Sequence, residues 1–297
     1  MSEDIEIDHL RTWIGKQERE SDTITPELLK RFRATLSDYT ELGSQLPLGL
    51  HWCLALPAVT RDGLGVDGHP AKGGFLPPVP LPRRMWASSR VRFHTPPSVG
   101  APIERTSTIA DVVLKQSTAS GPLVFVYVDH AYTQKTAQDN VTLIQDRQTI
   151  VYRQPSAFKQ AESQESKKLP QSSGRSLNIM PDSTLLFRYS AMTFNGHRIH
   201  YDHNYTTSDE GYPGLVVHGP LMATLLMNLA QASQPNSPLR EFEFRGVAPA
   251  FVDQALVLSV KDNGSVNDDG TESLEVRNHE GALIMTASAG FGEKDEG

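Results

Sequence analysis

The stretch that decides the fold of this sequence is Gly219-Pro220-Leu221-Met222-Ala223-Thr224-Leu225-Leu226-Met227-Asn228-Leu229-Ala230-Gln231-Ala232. It is apolar on nearly every face, whereas a helix at a protein surface keeps one polar side. Pro220 fits the first turn of a helix, where its missing N–H leaves no bond unmade. The stretch therefore predicts a buried helix, which the remaining elements must enclose.

Segments rich in β-branched and aromatic residues follow this helix, roughly over 254–261, 272–278 and 282–291. Turn-forming residues at 267–270 separate two of them, which is typical of antiparallel strands joined by turns. The second part of the chain therefore reads as a helix wrapped by an antiparallel sheet.

The first part of the chain repeats this order. It has its own β-rich segments, roughly over 103–114, 123–133 and 140–153, and residues 91–100 parallel residues 242–251. Thr25 before Pro26, and Asp182 before Ser183, are typical N-caps that open a helix in each half. The sequence thus predicts an α+β protein built from one unit used twice.

The two halves differ where the buried helix should lie. Between residues 74 and 91 the first half has few residues, several of them proline, so its central helix is expected to be short or missing. Residues 154–182 are rich in Gln, Ser and Lys and are interpreted as a linker. The predicted domains are 1–153, an N-terminal domain with a degenerate helix, and 183–297, a C-terminal domain with the long helix.

Composition narrows the class of protein. The chain has 297 residues, of which 38% are hydrophobic and 21% charged, which is typical of a globular protein. A formal net charge of −7 argues against a nucleic-acid partner, and no apolar run is long enough to span a membrane. The single cysteine, Cys53, is expected to be a core residue. The cytoplasm is the expected compartment, with mitochondria and peroxisomes left open, and a homodimer is possible.

Chemically active side chains concentrate just before the buried helix, in Thr193-Phe194-Asn195-Gly196-His197-Arg198-Ile199-His200-Tyr201-Asp202 and again in Val216-Val217-His218-Gly219-Pro220. An Asn and a His five residues apart, followed by His-Gly at a helix start, form a long ordered pattern.

This pattern resembles the R-specific hydratase motif of MaoC-like dehydratases. Residues 69–87, which include Gly73-Gly74-Phe75-Leu76-Pro77-Pro78, are similar to the N-terminal domain of hydroxyacyl-thioester dehydratases, a group that includes mesaconyl-CoA and itaconyl-CoA hydratases. The resemblance extends from about Trp13 to Phe291. It implies a double hot-dog fold and reversible hydration of an enoyl thioester, either a CoA ester or an acyl-carrier-protein ester.

Hydration needs a base for water, a proton for the α carbon and a donor for the enolate-like oxygen. His200 is the predicted base, because the usual pKa of histidine lies near neutrality. The commoner motif has a carboxylate at the position of Asn195, and an amide there can only orient water or substrate. His200 acting alone is the preferred solution; proton transfer by Asp202 or His197 is the alternative, and both are more readily interpreted as structural or orienting.

Gly219 is the predicted oxyanion donor, since its backbone N–H lies in the first turn of the buried helix, where donors are unpaired. The alternative is that Gly219 and Pro220 only begin the helix. His218 is expected to hold the loop. Together with Tyr201, Val217 and His197, it completes the substrate-binding residues of the second half.

The first half is expected to contribute Phe75, Arg84 and Trp86 to the acyl pocket, in the space that its missing helix leaves. Arg84 would bind a carboxylate or phosphate in bidentate fashion, although it could equally belong to a surface arginine pair. Lys72 and Arg198 are weaker candidates for CoA phosphates. Alternatively, the proline-rich segment itself could fill the space.

The leading function is a hydro-lyase that needs no cofactor and no metal, since the ten histidines form no close-spaced zinc signature. The alternatives are an acyl thioesterase, a non-catalytic acyl-thioester-binding protein of the same fold, and a dehydratase or isomerase of secondary metabolism. The acyl group, the carrier and the physiological direction remain open.

Overall fold

The computed structural model describes residues 5–40, 42, 46–118, 121–136, 139–155, 175–261 and 270–292. Its helices are α1 (Ile7–Arg11), α2 (Pro26–Leu36), α3 (Ser183–Met192) and α4 (Gly219–Ser233). Its strands are β1 (Gln17–Thr23), β2 (Arg83–Phe93), β3 (Pro102–Ser117), β4 (Gly121–Lys135), β5 (Asn140–Arg153), β6 (Ser176–Ile179), β7 (Leu239–Gly246), β8 (Leu256–Val260), β9 (Thr271–Asn278) and β10 (Leu283–Phe291).

All ten strands form one antiparallel sheet in the order β1-β3-β4-β5-β2-β7-β10-β9-β8-β6. The order is symmetric about the β2–β7 pair, where Val91 lies opposite Phe242. Reading outward from that pair, each half presents its strands in the same succession. The sheet therefore consists of one five-stranded unit used twice, joined edge to edge.

The α+β prediction and the six predicted strands are confirmed. The sequence-based interpretation did not assign α1, β1, β2, β6 or β7, although it noted that residues 91–100 and 242–251, which include the end of β2 and part of β7, parallel each other. Strand β6 lies inside the range interpreted as a linker and pairs with β8 of the second half. Residues 156–174 of that range lie outside the described residues, and the domain boundaries stay a prediction.

Helix α4 is the centre of the larger core, as its apolar sequence predicts. Its residues from Leu221 to Ala230 are all buried, and they pack among strands of both halves. Thr25 and Asp182 are N-caps as expected, since their side chains accept the N–H of Leu28 and Leu185. These caps fix where α2 and α3 begin.

The first half has no long helix between α2 and β2 in the described ranges. A 3₁₀ turn, Leu50–Cys53, lies there with all four residues buried, so Cys53 is a core residue. The proline-rich segment covers the outer part of the sheet, where Val79 and Leu81 are each 1% exposed in a second core. At Val79 and Leu81 the proline-rich segment therefore fills the space beside the sheet, which is the alternative to an open acyl pocket at these positions.

Among the described residues, no helix combines the length and the apolarity needed to cross a bilayer.

Candidate active site

His200 ends a short 3₁₀ turn, Arg198–His200, and is 7% exposed. Its Nδ1 lies 2.7 Å from the carbonyl oxygen of Val216, and because a carbonyl can only accept, Nδ1 carries the proton. The lone pair is therefore on Nε2. Burial lowers the pKa of His200 to about 4, so the ring is a neutral base at neutral pH.

His218 supports the ring of His200 from one side. The two imidazoles stack with centroids 3.6 Å apart, and Nε2 of His218 lies 2.8 Å from the hydroxyl of Ser190 on α3. Burial holds the pKa of His218 well below its usual value. The stack on His218 and the contact with Ser190 thus hold the ring of His200 against α3.

The side chain of Asn195 forms a hydrogen bond with the backbone of its own loop. Its Oδ1 accepts the N–H of His197 at 3.0 Å, a local turn that fixes the path of the chain before His200. The amide is therefore occupied in shaping the loop that carries both histidines.

His197 lies between His200 and a loop of the first half. Its ring centroid is 5.5 Å from that of His200 and 4.1 Å from that of His69. His69 in turn has Nδ1 3.2 Å from Oδ2 of Asp67. One donor atom of Asp67, of His69 and of His197 all lie within 4.8 Å of one another. Sequence reasoning missed Asp67, His69 and Ser190, and the only signal for the loop was His69-Pro70 in the family resemblance.

The two loops meet through their backbones. The N–H of Arg198 donates to the carbonyl of Asp67 at 2.9 Å, and an Arg198 guanidinium nitrogen donates to the carbonyl of Val66 at 3.2 Å. Gly68 and Gly196 have no Cβ atoms that would separate the loops. This contact brings residues about 130 positions apart in the sequence into one site.

Burial is the main reason why the histidine row is neutral. Burial lowers the pKa values of His69 and His197, and nearby positive charge adds to the effect. The hydrogen bond from Asp67 opposes that shift at His69. Burial alone would raise the pKa of Asp67, but its hydrogen bond with His69 and the charges of His69 and Arg84 lower it, so Asp67 is ionised.

Arg84 lies beside this row at the start of β2. Its guanidinium is 3.6 Å from Asp67 and donates to the carbonyl of Pro70 at 3.2 Å, and its side chain is 8% exposed. Its Nε and the nearby hydroxyl of Tyr152 are buried without a hydrogen bond of good geometry among the described residues. Arg84 is thus a buried cation with donor capacity to spare, and the surface alternative does not describe it.

Gly219 is the first residue of α4 and directly follows His218. No acceptor for its N–H is found among the described residues, as expected for the first turn of a helix. A Cβ built on Gly219 would lie 3.9 Å from the carbonyl oxygen of Trp86. Trp86 itself packs against Trp52, with ring centroids 5.3 Å apart, so a first-half strand lies against the start of α4.

Five other candidates make contacts that stabilise the fold. Asp202 forms a bidentate ion pair with Arg198, at 3.0 and 2.7 Å. Tyr201 is 49% exposed and donates to the carbonyl of Gly196, Phe75 packs against the second core, and Val217 is buried in the first. Lys72 donates to the carbonyls of Val79 and Leu81. Among the described residues, neither the ring of Tyr201 nor that of Phe75 packs against the ring of a site histidine.

The comparisons with known proteins agree with this architecture. A family model, hydroxyacyl-thioester dehydratase type 2, matches residues 49–252. The chain is 41% identical over 283 residues to mesaconyl-C(4)-CoA hydratase of Chloroflexus aurantiacus, a match that covers 94% of this chain and 97% of that protein.

Two solved structures share the fold. A MaoC-like dehydratase from Phytophthora capsici matches with a TM-score of 0.65 and 11% identity, over 97% of this chain and 98% of that one. A Mycobacterium tuberculosis protein described as having a double hotdog fold matches with a TM-score of 0.55 and 12% identity, over 94% and 96%. The double hot-dog prediction is confirmed, and the chain belongs to the hydroxyacyl-thioester dehydratase type 2 family.

Proposed function

We propose that this protein catalyses the reversible addition of water to an enoyl CoA thioester, with His200 as the base and the Gly219 N–H as the oxyanion donor. The observation that carries the proposal is the tautomer of His200, whose lone pair is on Nε2 because Val216 holds Nδ1. The stack of His218 on His200 links this base to the start of α4, since His218 directly precedes Gly219.

The chemistry follows from these groups. In hydration, Nε2 of His200 takes a proton from water while the water oxygen bonds to the β carbon. The π electrons move toward the thioester carbonyl, where the unpaired N–H of Gly219 and the helix dipole stabilise negative charge. The α carbon then takes a proton. Neutral His200 is ready for the first step, because burial lowers its pKa to about 4.

The proposed acyl group is branched and carboxylated. A mesaconyl thioester, which the relative from Chloroflexus aurantiacus hydrates according to its name, carries a methyl group and a free carboxylate. Arg84 offers a buried guanidinium in the same cluster as the histidines, and its Nε has no hydrogen bond of good geometry among the described residues. A guanidinium binds a carboxylate through paired hydrogen bonds. The cytoplasm and a homodimer remain predictions.

The test is hydration of mesaconyl-C(4)-CoA by wild type and His200→Ala. Loss of a general base commonly costs on the order of a hundredfold to ten-thousandfold in rate. His203→Gln is the matched control, because His203 is exposed and close in sequence. Wild-type protein that hydrates neither this ester nor crotonyl-CoA contradicts the function. A His200→Ala protein with a third of the wild-type rate contradicts the assignment of the base.

A further inference from the structure

Because Asn195 cannot transfer a proton, the site needs a second proton-transfer group besides His200. Hydration needs a group that exchanges a proton with the oxygen and one that exchanges a proton with the α carbon. Asn195 has no acidic proton, and its Oδ1 is committed to the N–H of His197. Among the described site histidines, only His69 has a carboxylate partner, Asp67.

We propose that His69, held by Asp67, is a further catalytic residue that exchanges the α-carbon proton, and that His197 passes this proton between His69 and His200. The proposal rests on the proposed function. Its basis is a row formed by Asp67, His69, His197 and His200. Asp67 contacts His69, the ring of His69 lies next to that of His197, and the ring of His197 lies next to that of His200.

The tautomer of His69 suits this role. A carboxylate only accepts, so Nδ1 of His69 carries the proton toward Asp67 and Nε2 carries the lone pair. The side chain is 24% exposed, whereas His200 is 7% and His218 1% exposed as residues. His69 is therefore more exposed than His200 at the other end of the row. It is also the member whose imidazolium form a fixed negative charge would stabilise.

Burial, and after it two nearby charges, act on the protonation of His69. Asp67 stabilises its protonated form, whereas Arg84 on β2 and the burial of the ring oppose it. A positive charge on His69 also lowers the pKa of His200. The row therefore favours a single proton at a time, which is what a transfer from one end to the other requires.

The proton balance closes without an external acid. In dehydration the α C–H bond breaks, its proton goes to Nε2 of His69, and the electron pair forms the enolate beside the Gly219 N–H. His197 accepts that proton on its unprotonated nitrogen and gives its own proton to Nε2 of His200, with water bridging where the rings are apart. Proton exchange with water then returns His197 to its starting tautomer before the next turnover. The β C–O bond then breaks, the enolate pair forms the double bond, and the hydroxyl leaves as water with the proton from His200. Hydration runs the same steps in reverse.

The experiment separates the two ends of the row by isotope exchange. The hydrated ester of mesaconyl-C(4)-CoA is incubated in D₂O, and exchange of its α protons is followed by NMR or mass spectrometry alongside net dehydration. His200→Gln is expected to lose dehydration about a hundredfold or more and to keep α-proton exchange within about threefold of wild type. His69→Gln is expected to lose both.

Asp67→Asn covers the possibility that His69→Gln fails to fold. The amide oxygen can still accept Nδ1–H, but the negative charge is gone, so exchange should slow at least tenfold with little change in KM. His203→Gln should match wild type in both measurements. Exchange that survives in His69→Gln, or that disappears in His200→Gln, overturns the proposal while leaving hydration by the wild type intact. Activity that a chelator removes and zinc restores also overturns it.

Discussion

Gly68 of the first half and Gly196 of the second lie so close that neither has room for a side chain. A Cβ on Gly196 would lie 2.6 Å from the carbonyl oxygen of Gly68, and a Cβ on Gly68 would clash with the carbonyl of Gly196. This approach sets the distance between the Asp67–His69 loop and the loop that carries His197. The contact between these two glycines thus allows the loops of the two halves to form one site.

Gly68→Ala is expected to reduce hydration by about a hundredfold, since displacing a site by about 1 Å has effects of that size. The φ angle of Gly68 is +85°, so the substitution also adds backbone strain of roughly 1–2 kcal/mol. Gly100→Ala is the matched control, because Gly100 has φ +84° and open space around its Cα. The measurements are the hydration rate and the urea midpoint of both variants.

The two variants should lose similar stability from strain, and only Gly68→Ala should lose activity. Equal activity in Gly68→Ala and Gly100→Ala would show that the close approach of the loops is not needed for hydration.

The fold could be predicted largely because its core elements have strong patterns. Helix α4 is apolar on all faces, and β3, β4 and β5 are long and rich in β-branched residues. Strands β1 and β6 were missed because few of their side chains are buried, so they have no apolar pattern. Strand β1, for example, reads Gln-Glu-Arg-Glu-Ser-Asp-Thr. They join the sheet through backbone pairing with β3 and β8, which leaves little trace in the sequence.

Only those candidate site residues that lie close together in the sequence could be predicted. Asn195, His200 and Gly219 lie within 25 residues of one another in a recognisable motif. Asp67 and His69 belong to an irregular loop, and their position depends on how that loop docks on the other half. No periodicity marks such a contact, so only the three-dimensional structure brings the pair to His197.

The buried histidines predict a loss of stability in mild acid. Burial lowers the pKa of His51 to about 3, and that of His130 and of His200 to about 4. Between about pH 4 and 6.5 these groups bind protons when unfolded but not when folded, so stability falls as the pH is lowered through this window. Burial raises the pKa of Asp146 to about 6 and also raises that of Glu18, and both act in the opposite direction.

The histidines outnumber the two acids, so the urea midpoint should be lower at pH 5 than at pH 7. Each net proton taken up on unfolding changes the free energy of unfolding by about 1.4 kcal/mol per pH unit. His130→Gln should make the pH dependence shallower, whereas His203→Gln, at an exposed histidine, should leave it unchanged. A midpoint that is equal or higher at pH 5 would contradict the neutral state of these rings.

Arg84 predicts how the enzyme ranks its substrates. Arg84→Met is expected to lower kcat/KM for mesaconyl-C(4)-CoA about 10- to 100-fold relative to crotonyl-CoA, because a hydrogen bond to a charged group contributes about 1.5–3 kcal/mol. The ratio is the informative quantity, since Arg84 also faces Asp67 and its loss could slow both reactions.

Arg90→Met is the control on the same strand, where the side chain is 54% exposed. It should leave the ratio of the two substrates unchanged. Arg84→Lys, which keeps the charge without the paired donors, should fall between wild type and Arg84→Met. If Arg84→Met preserves the wild-type ratio, Arg84 does not contact the distal carboxylate.

The N–H of Gly219 can be removed almost without changing the fold, which makes the oxyanion role directly testable. Gly219→Ala keeps the donor, and its Cβ would lie 3.9 Å from the nearest atom, the carbonyl oxygen of Trp86. Gly219→Pro removes the donor at the first helical position, where proline is tolerated because no intrahelical bond is lost. His218 before it already has ψ 129°, which suits a residue preceding proline.

Comparing the two variants therefore separates the effect of added side-chain volume at residue 219 from the effect of losing its N–H donor. Loss of one oxyanion donor costs about a hundredfold to a thousandfold in kcat, and Gly219→Pro should show that loss with a KM near that of wild type. Gly219→Ala should remain within about tenfold, since its added methyl has room. Urea unfolding of both proteins checks that α4 still begins normally when a second proline directly precedes Pro220, because a residue before proline disfavours the helical conformation. If Gly219→Pro folds like Gly219→Ala and is equally active, the backbone N–H does not stabilise the enolate oxygen, and a side-chain donor must do so.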